Sequence, residues 1–261
     1  MKLNKNLFVA AFLMCVLLFP FQVFATNYQL TILHTNDHHG HFMKYNPYPV
    51  KDVGGLAAQS TLVNIVRAEV QKEGGFVMLL SGGDINTGIP ESDLLDAEPD
   101  IVAMNMIGYD AMVLGNHEFD NSSDVLIKQK KWAEFPFISA NIFKKDTDQT
   151  LVKPYVIKEY DGLKVAILGL TTEKTPILTL PANVKDLVFK NPIEIAKALV
   201  PRLKKEADLV IVLSHLGLYE GMDSKGDLAL AKAVPEIDVI VGGHTHTELT
   251  EALLVGLSLI H

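Results

Sequence analysis

Along the chain, short apolar runs rich in β-branched residues alternate with longer stretches whose apolar positions recur at helical spacing. Tyr28 to Thr35, Phe76 to Leu80, Ala111 to Leu114, Phe137 to Ala140, Leu209 to Leu213 and Val239 to Val241 read as strands. Tyr155 to Tyr160 and Leu163 to Leu170 read as two more, joined by Asp161-Gly162, a strong hairpin signal. Four of these eight runs are apolar at every position, as strands covered on both faces are. Gly55 to Lys72 predicts a helix with Leu62, Val63, Val66 and Val70 on one side and Gly74-Gly75 ending it. Ser92 to Ile107 and Asp124 to Glu134 predict two more. Asn191-Pro192-Ile193-Glu194 marks a helix start, with Asn as the cap and Pro at the first helical position, and Pro201 predicts a kink further on. There are no repeats and no low-complexity linker. The pattern predicts an α/β sandwich with a largely buried sheet.

The first 25 residues stand apart. Lys2 and Lys5 precede an apolar run from Leu7 to Phe19, Pro20 breaks it, and Val23-Phe24-Ala25 offers a cleavage site. This reads as a signal peptide over 1–25, removed on export to a periplasmic or extracellular location. The run is short for a membrane span, so no stable membrane insertion is expected after cleavage. Cleavage would also remove Cys15, the one cysteine, so the exported chain would fold without disulfides.

The formal net charge of -8 argues against a nucleic-acid polymer or an anionic membrane as the main partner. It does not argue against a small phosphorylated ligand, because bound cations reverse the local field.

The nine histidines carry the chemistry. All but the terminal His261 fall in short motifs at or just past the ends of predicted strands. His34-Thr35-Asn36-Asp37-His38-His39-Gly40-His41 follows the first strand, Gly115-Asn116-His117-Glu118 the third, and Ser214-His215 and Gly242-Gly243-His244-Thr245-His246 follow later ones. Ser81-Gly82-Gly83-Asp84 adds a carboxylate after the second. Ligands collect at the carboxyl ends of strands in α/β sheets. Imidazole and carboxylate without thiolate fit zinc, manganese, cobalt or iron. Asp37 and His39, two apart on an extended strand end, would point the same way. The donors are too many for one tetrahedral ion. Two divalent ions sharing a bridging carboxylate would use them all, and such a pair clamps phosphorus for in-line displacement.

His34 to Phe42 (HTNDHHGHF), Gly54 to Gln59 (GGLAAQ), Gly115 to Asp120 (GNHEFD), Gly169 to Thr172 (GLTT) and Gly242 to Thr247 (GGHTHT) resemble the calcineurin-like metallophosphoesterases. Within that superfamily they resemble the bacterial periplasmic 5′-nucleotidase and UDP-sugar hydrolase branch, from about Tyr28 to about Glu251. The resemblance implies a sandwich of mixed β-sheets flanked by helices. It implies that Asp37, His39 and His246 hold one ion, Asn116, His215 and His244 the second, and that Asp84 bridges them. A metal-bound hydroxide would attack a phosphate ester of a nucleotide in line. His117, oriented by Asp120, would stabilise the transition state or protonate the leaving oxygen. His38 and His34 are expected to be structural or supporting, and Asn86 and Glu118 receive no role.

Members of that branch carry a further C-terminal domain that binds the nucleoside. The expected organisation is a catalytic domain over 26–261, incomplete at its C-terminal end, with that second domain absent. The apolar ending from Leu253 to Ile260 reads as the start of a strand. Two other readings follow: a truncated metal-binding remnant with little nucleotidase activity, and a relative acting on cyclic nucleotides, nucleotide sugars or sulfur esters. The sequence leaves the oligomeric state open.

Overall fold

The computed structural model describes residues 27–46, 49–219 and 225–261. The signal-peptide reading lies outside the described residues. Strands β1 (Leu30–Thr35), β2 (Phe76–Ser81), β3 (Ala111–Val113) and β4 (Phe137–Ile138) form a parallel sheet in that order. A second sheet is built from β6 (Tyr155–Tyr160), β7 (Leu163–Thr171), β9 (Leu209–His215), β10 (Val239–Val241), β11 (Leu253–Val255) and β12 (Ser258–Ile260), in the order β11-β12-β10-β9-β7-β6. A small pair, β5 (Ile142–Lys144) with β8 (Leu187–Phe189), lies apart.

The two sheets pack face to face, and the alternation of side chains shows how. On β2, Met78 and Leu80 point into the layer between the sheets, while Leu79 points out toward the helices. On β7, Val165 and Ile167 point inward, and Ala166 and Leu168 outward. Ile211 and Leu213 on β9 repeat this against Val210 and Val212. Both faces are buried, which is why these strands are apolar at successive positions. Outside the first sheet lie α1 (Leu56–Lys72), α3 (Glu98–Ile107) and α4 (Ser123–Trp132), contributing Leu56, Ile101 and Leu126 to one core. Outside the second lie α7 (Pro192–Leu203) and α8 (Asp227–Ala233), contributing Val200 and Leu230 to another. Short helices α2 (Pro90–Asp93), α5 (Thr175–Leu178) and α6 (Pro181–Val184) occupy loops. The result is the expected sandwich of mixed sheets flanked by helices.

The predicted cap is present: Asn191 Oδ1 accepts from the backbone N–H groups of Ile193 and Glu194 at 2.9 and 3.3 Å. Glu194 forms an ion pair with Lys197. Helix α7 continues past Pro201 to Leu203.

Two elements differ from expectation. The helix expected from Ser92 to Ile107 is broken at Asp96 and Ala97, with φ of 54° and 59°. Pro99 explains the break. Proline has no N–H to donate to the carbonyl four residues back, that of Leu95, and its ring crowds that carbonyl, so it cannot continue a helix from α2 but fits the first turn of a new one, where it stands in α3. The apolar ending is a hairpin rather than one strand: β11 pairs antiparallel with β12, and β12 pairs parallel with β10.

Candidate metal centre

All five motif loops meet at one end of the sandwich, past the carboxyl ends of β1, β2, β3, β9 and β10. Ligand atoms of Asp37, His39 and His246 lie within 4.8 Å of one another, and so do those of Asp84, His215 and His244. A third group of the same tightness joins His39, Asp84 and His117. Asp84 therefore belongs to two clusters at once.

The local backbone is unusual. Asp37, His39, Asp84, His244 and His246 all have left-handed φ, between 49° and 80°. Each such non-glycine residue costs on the order of 1–3 kcal/mol, which the surroundings must supply. The Asp37/His39 pair thus meets its cluster without the extended geometry expected of it. The two residues curl out of β1 while their N–H groups bond to the carbonyls of Gly83 and Asp84 at 3.0 and 2.9 Å.

The donor set fits cations. His215 Nδ1 donates to the carbonyl of Gly82 at 2.6 Å, so the neutral ring keeps its lone pair on Nε2. That lone pair faces Asp84 Oδ2 at 2.9 Å and Asn116 Oδ1 at 3.3 Å. Three acceptors converging at a fully buried position require a proton or a metal ion between them. The same logic holds for His39. Its Nδ1 donates to the carbonyls of Thr87 and Asn86 at 2.9 and 3.2 Å, and its Nε2 faces His246 Nε2 at 3.1 Å.

The electrostatics agree with a cation-seeking site. Burial alone would raise the Asp84 carboxyl, but the charges of His215 and His117 hold it down at about 2. Burial would likewise lower His215, but the Asp84 carboxylate outweighs it and raises the imidazole to about 9. His244 is pushed down to about 4 by burial and by His215, so it is neutral and ready to ligate.

His117 stands at the rim. Its Nδ1 lies 2.5 Å from Asp120 Oδ2, and this bond, foremost among several causes, raises the imidazole pKa. Burial acts to raise the Asp120 carboxyl, but bonds from His117, Thr87 and Thr179 lower it. The backbone N–H of His117 donates to Asp84 Oδ1 at 2.9 Å, so the two side chains' loops are tied together.

Two residues carry more structure than the sequence revealed. Glu118 is buried and accepts from four backbone N–H groups: Asp84 and Gly115 on Oε2, Ile85 and Asn86 on Oε1. It clamps the loop after β2 to the loop after β3. Asn86 donates to the carbonyl of His117 and accepts from buried Gln129 at 2.8 Å. The remaining histidines stay outside the clusters. His38 turns toward Asp100, His41 bonds back to the carbonyl of His38, and His34 pairs with His261 beside a cavity of about 210 Å³.

Gly115 shows how tight the centre is. A Cβ there would lie 2.1 Å from Asp84 Oδ1 and 2.7 Å from His215 Cε1. Gly115→Ala is expected to displace Asp84 and to weaken manganese affinity by at least about tenfold, read by calorimetric titration. Unchanged affinity would show that the loop can yield.

Residues 30–248 match the family described as calcineurin-like phosphoesterase. The chain belongs to the calcineurin-like phosphoesterase family. It is 52% identical over 230 residues to a Vibrio vulnificus protein named 5′-nucleotidase, a match covering 84% of this chain and 40% of that protein. It thus spans well under half the length of that relative. The structure of a 5′-nucleotidase precursor from Thermus thermophilus superposes with a TM-score of 0.73 at 30% identity, over 89% of this chain and 48% of that one. The Thermus thermophilus sulfate thiohydrolase SoxB superposes with a TM-score of 0.80, covering 90% of this chain and 52% of its own; at 22% identity this likeness concerns the fold. This phosphoesterase chain has no helix, among the described residues, long and apolar enough to cross a membrane.

Proposed function

We propose that this phosphoesterase hydrolyses phosphate monoesters of nucleotides at a centre holding two divalent cations. The observation that carries the reading is Asp84, shared by two ligand clusters and bonded to the backbone of His117. Asp37, His39 and His246 would hold one cation and Asn116, His215 and His244 the other, with Asp84 between them. The cations would supply Lewis-acid chemistry and an activated water for in-line displacement.

The protein's own groups do the rest. The Nδ1–H of His117 is committed to Asp120, so Nε2 is the atom that can place a proton on the leaving oxygen. Asp120 fixes that tautomer and favours the charged ring. The nucleotide substrate is inferred from the names of the relatives. The domain is assigned to residues 26–261, and the charged start and apolar run of residues 1–25 support an exported location.

The test is hydrolysis of AMP and of p-nitrophenyl phosphate by the purified chain with manganese. Turnover of both, lost in His117→Ala, is the expected result. Turnover of the small ester alone would mean that nucleotide recognition needs groups beyond this chain. No turnover of either would overturn the reading.

Asp120→Asn gives a pH signature. The Asp120 carboxylate raises the pKa of His117, and a group acting as an acid loses function as pH rises through its pKa. Removing the charge lowers that pKa. The alkaline fall of kcat is therefore expected at lower pH in Asp120→Asn than in the parent, read from the two pH profiles. An unmoved alkaline limb would show that His117 does not act as the acid.

A further inference from the structure

The loop holding Asp37 and His39 has a third side chain between them, and it faces the other way. His38 is nearly buried, and its Nδ1 lies 3.4 Å from Oδ1 of Asp100 in the first turn of α3. Asp100 is fully buried. Its Oδ2 accepts from the hydroxyl of Ser92, also fully buried, at 2.6 Å. Its Oδ1 has no hydrogen-bond partner, and neither does His38 Nε2. A buried carboxylate with one neutral donor is poorly compensated, and His38 is the group positioned to complete it.

The backbone explains what this contact is for. Asp37 and His39 both hold left-handed φ, of 50° and 49°, with His38 between them. The carbonyl of His38 accepts from the N–H of His41 at 3.1 Å and faces His41 Nδ1 at 3.0 Å. Gly40, two residues beyond His38, packs so closely that a Cβ would meet Ser92 Cβ at 2.7 Å. The strained tripeptide is thus fastened on its far side to α2 and α3. Strained residues persist only where their surroundings over-determine them.

We propose that His38, held by Asp100 and Ser92, is a positioning residue that fixes Asp37 and His39 for the cation they share with His246. The inference rests on the metal-centre reading above. It adds that this cation's affinity is set by a buried polar contact on the opposite side of the loop. Outer groups that orient metal ligands typically change affinity about 10–100-fold when altered. The other cluster, Asp84, His215 and His244, hangs from β2, β9 and β10 and has no direct bond to His38.

The test is manganese titration of the metal-stripped parent, His38→Leu, His38→Asn, Ser92→Ala and Asp100→Asn, with thermal melting alongside. An asparagine amide nitrogen stands about where imidazole Nδ1 does, whereas leucine fills space without a donor. His38→Leu and Asp100→Asn are expected to weaken one ion at least about tenfold and to leave the other at the parent's affinity. His38→Asn is expected to restore most of the loss. Should His38→Leu not fold, Asp100→Asn and Ser92→Ala decide, since both keep the packing volume close to the original. Parent affinity for both ions in Asp100→Asn and Ser92→Ala would overturn the inference, as would His38→Asn binding no better than a folded His38→Leu. Failure of the parent itself to bind manganese would count against the metal-centre reading instead.

Discussion

Asp84→Ala is expected to lose metal at both clusters and at least about a thousandfold in kcat/KM, the equivalent of roughly 4 kcal/mol. The magnitude follows from how much this one carboxylate does. It is a donor in the His39/His117 group and in the His215/His244 group. It also accepts the backbone N–H of His117, so its removal would loosen the proposed acid as well as the ions. Loss of the carboxylate leaves His215 buried without the charge that holds it, and the imidazole returns toward neutrality. The measurement is manganese stoichiometry together with AMP hydrolysis. A variant that keeps both ions and hydrolyses at the parent's rate would remove Asp84 from the centre of the account.

Glu118→Gln is expected to be the most destabilising conservative change in the site. Every partner of this carboxylate is an N–H donor, with Asp84, Ile85 and Gly115 all at 2.9 Å or less. An amide group would aim its own N–H toward two of those donors. Each buried donor left without an acceptor costs about 1–3 kcal/mol, so a loss of roughly 2–6 kcal/mol is expected. Because the clamp joins the loop of Asp84 to the loop of Asn116, metal affinity should fall together with the melting temperature. Thermal melting with and without manganese measures both. An unchanged melting temperature would mean that water replaces the lost acceptor.

Glu118 also marks where reading the sequence stops. The apolar runs are visible because strands covered on both faces are apolar throughout, and Met78, Leu79 and Leu80 show that on β2. The motif residues are visible because polar groups directly after such runs are conspicuous. Asp37, His39, Asp84, Asn116, His117, His215, His244 and His246 stand out that way, Asp120 only through the family resemblance, and all nine lie at one end of the sandwich. Glu118 sits in the same motif, yet its role depends on four N–H groups, three of them more than thirty residues earlier. No local pattern encodes such a contact. The same holds for Asp100, read as one more position in an amphipathic stretch, whose partner His38 lies on another loop.

Local geometry was harder still. Asp37 and His39 were expected to share a direction because they are two apart on an extended strand. They share a cluster through left-handed turns instead, held by backbone bonds to the neighbouring loop. The break before α3 was written in the sequence as Pro99, but the helical spacing of Ile101 and Met104 runs on from Leu94 and hides it. The hairpin of β11 and β12 turns at Gly256, whose φ of 63° favours glycine, inside a run that is otherwise apolar except for Ser258.

The most direct test of a two-cation centre built on Asp84 is a calorimetric count of manganese bound by the metal-stripped chain. The account predicts two ions per chain for the parent, with His215→Ala and His246→Ala each losing a different one. A single ion, or two ions whose binding neither substitution affects, would contradict it.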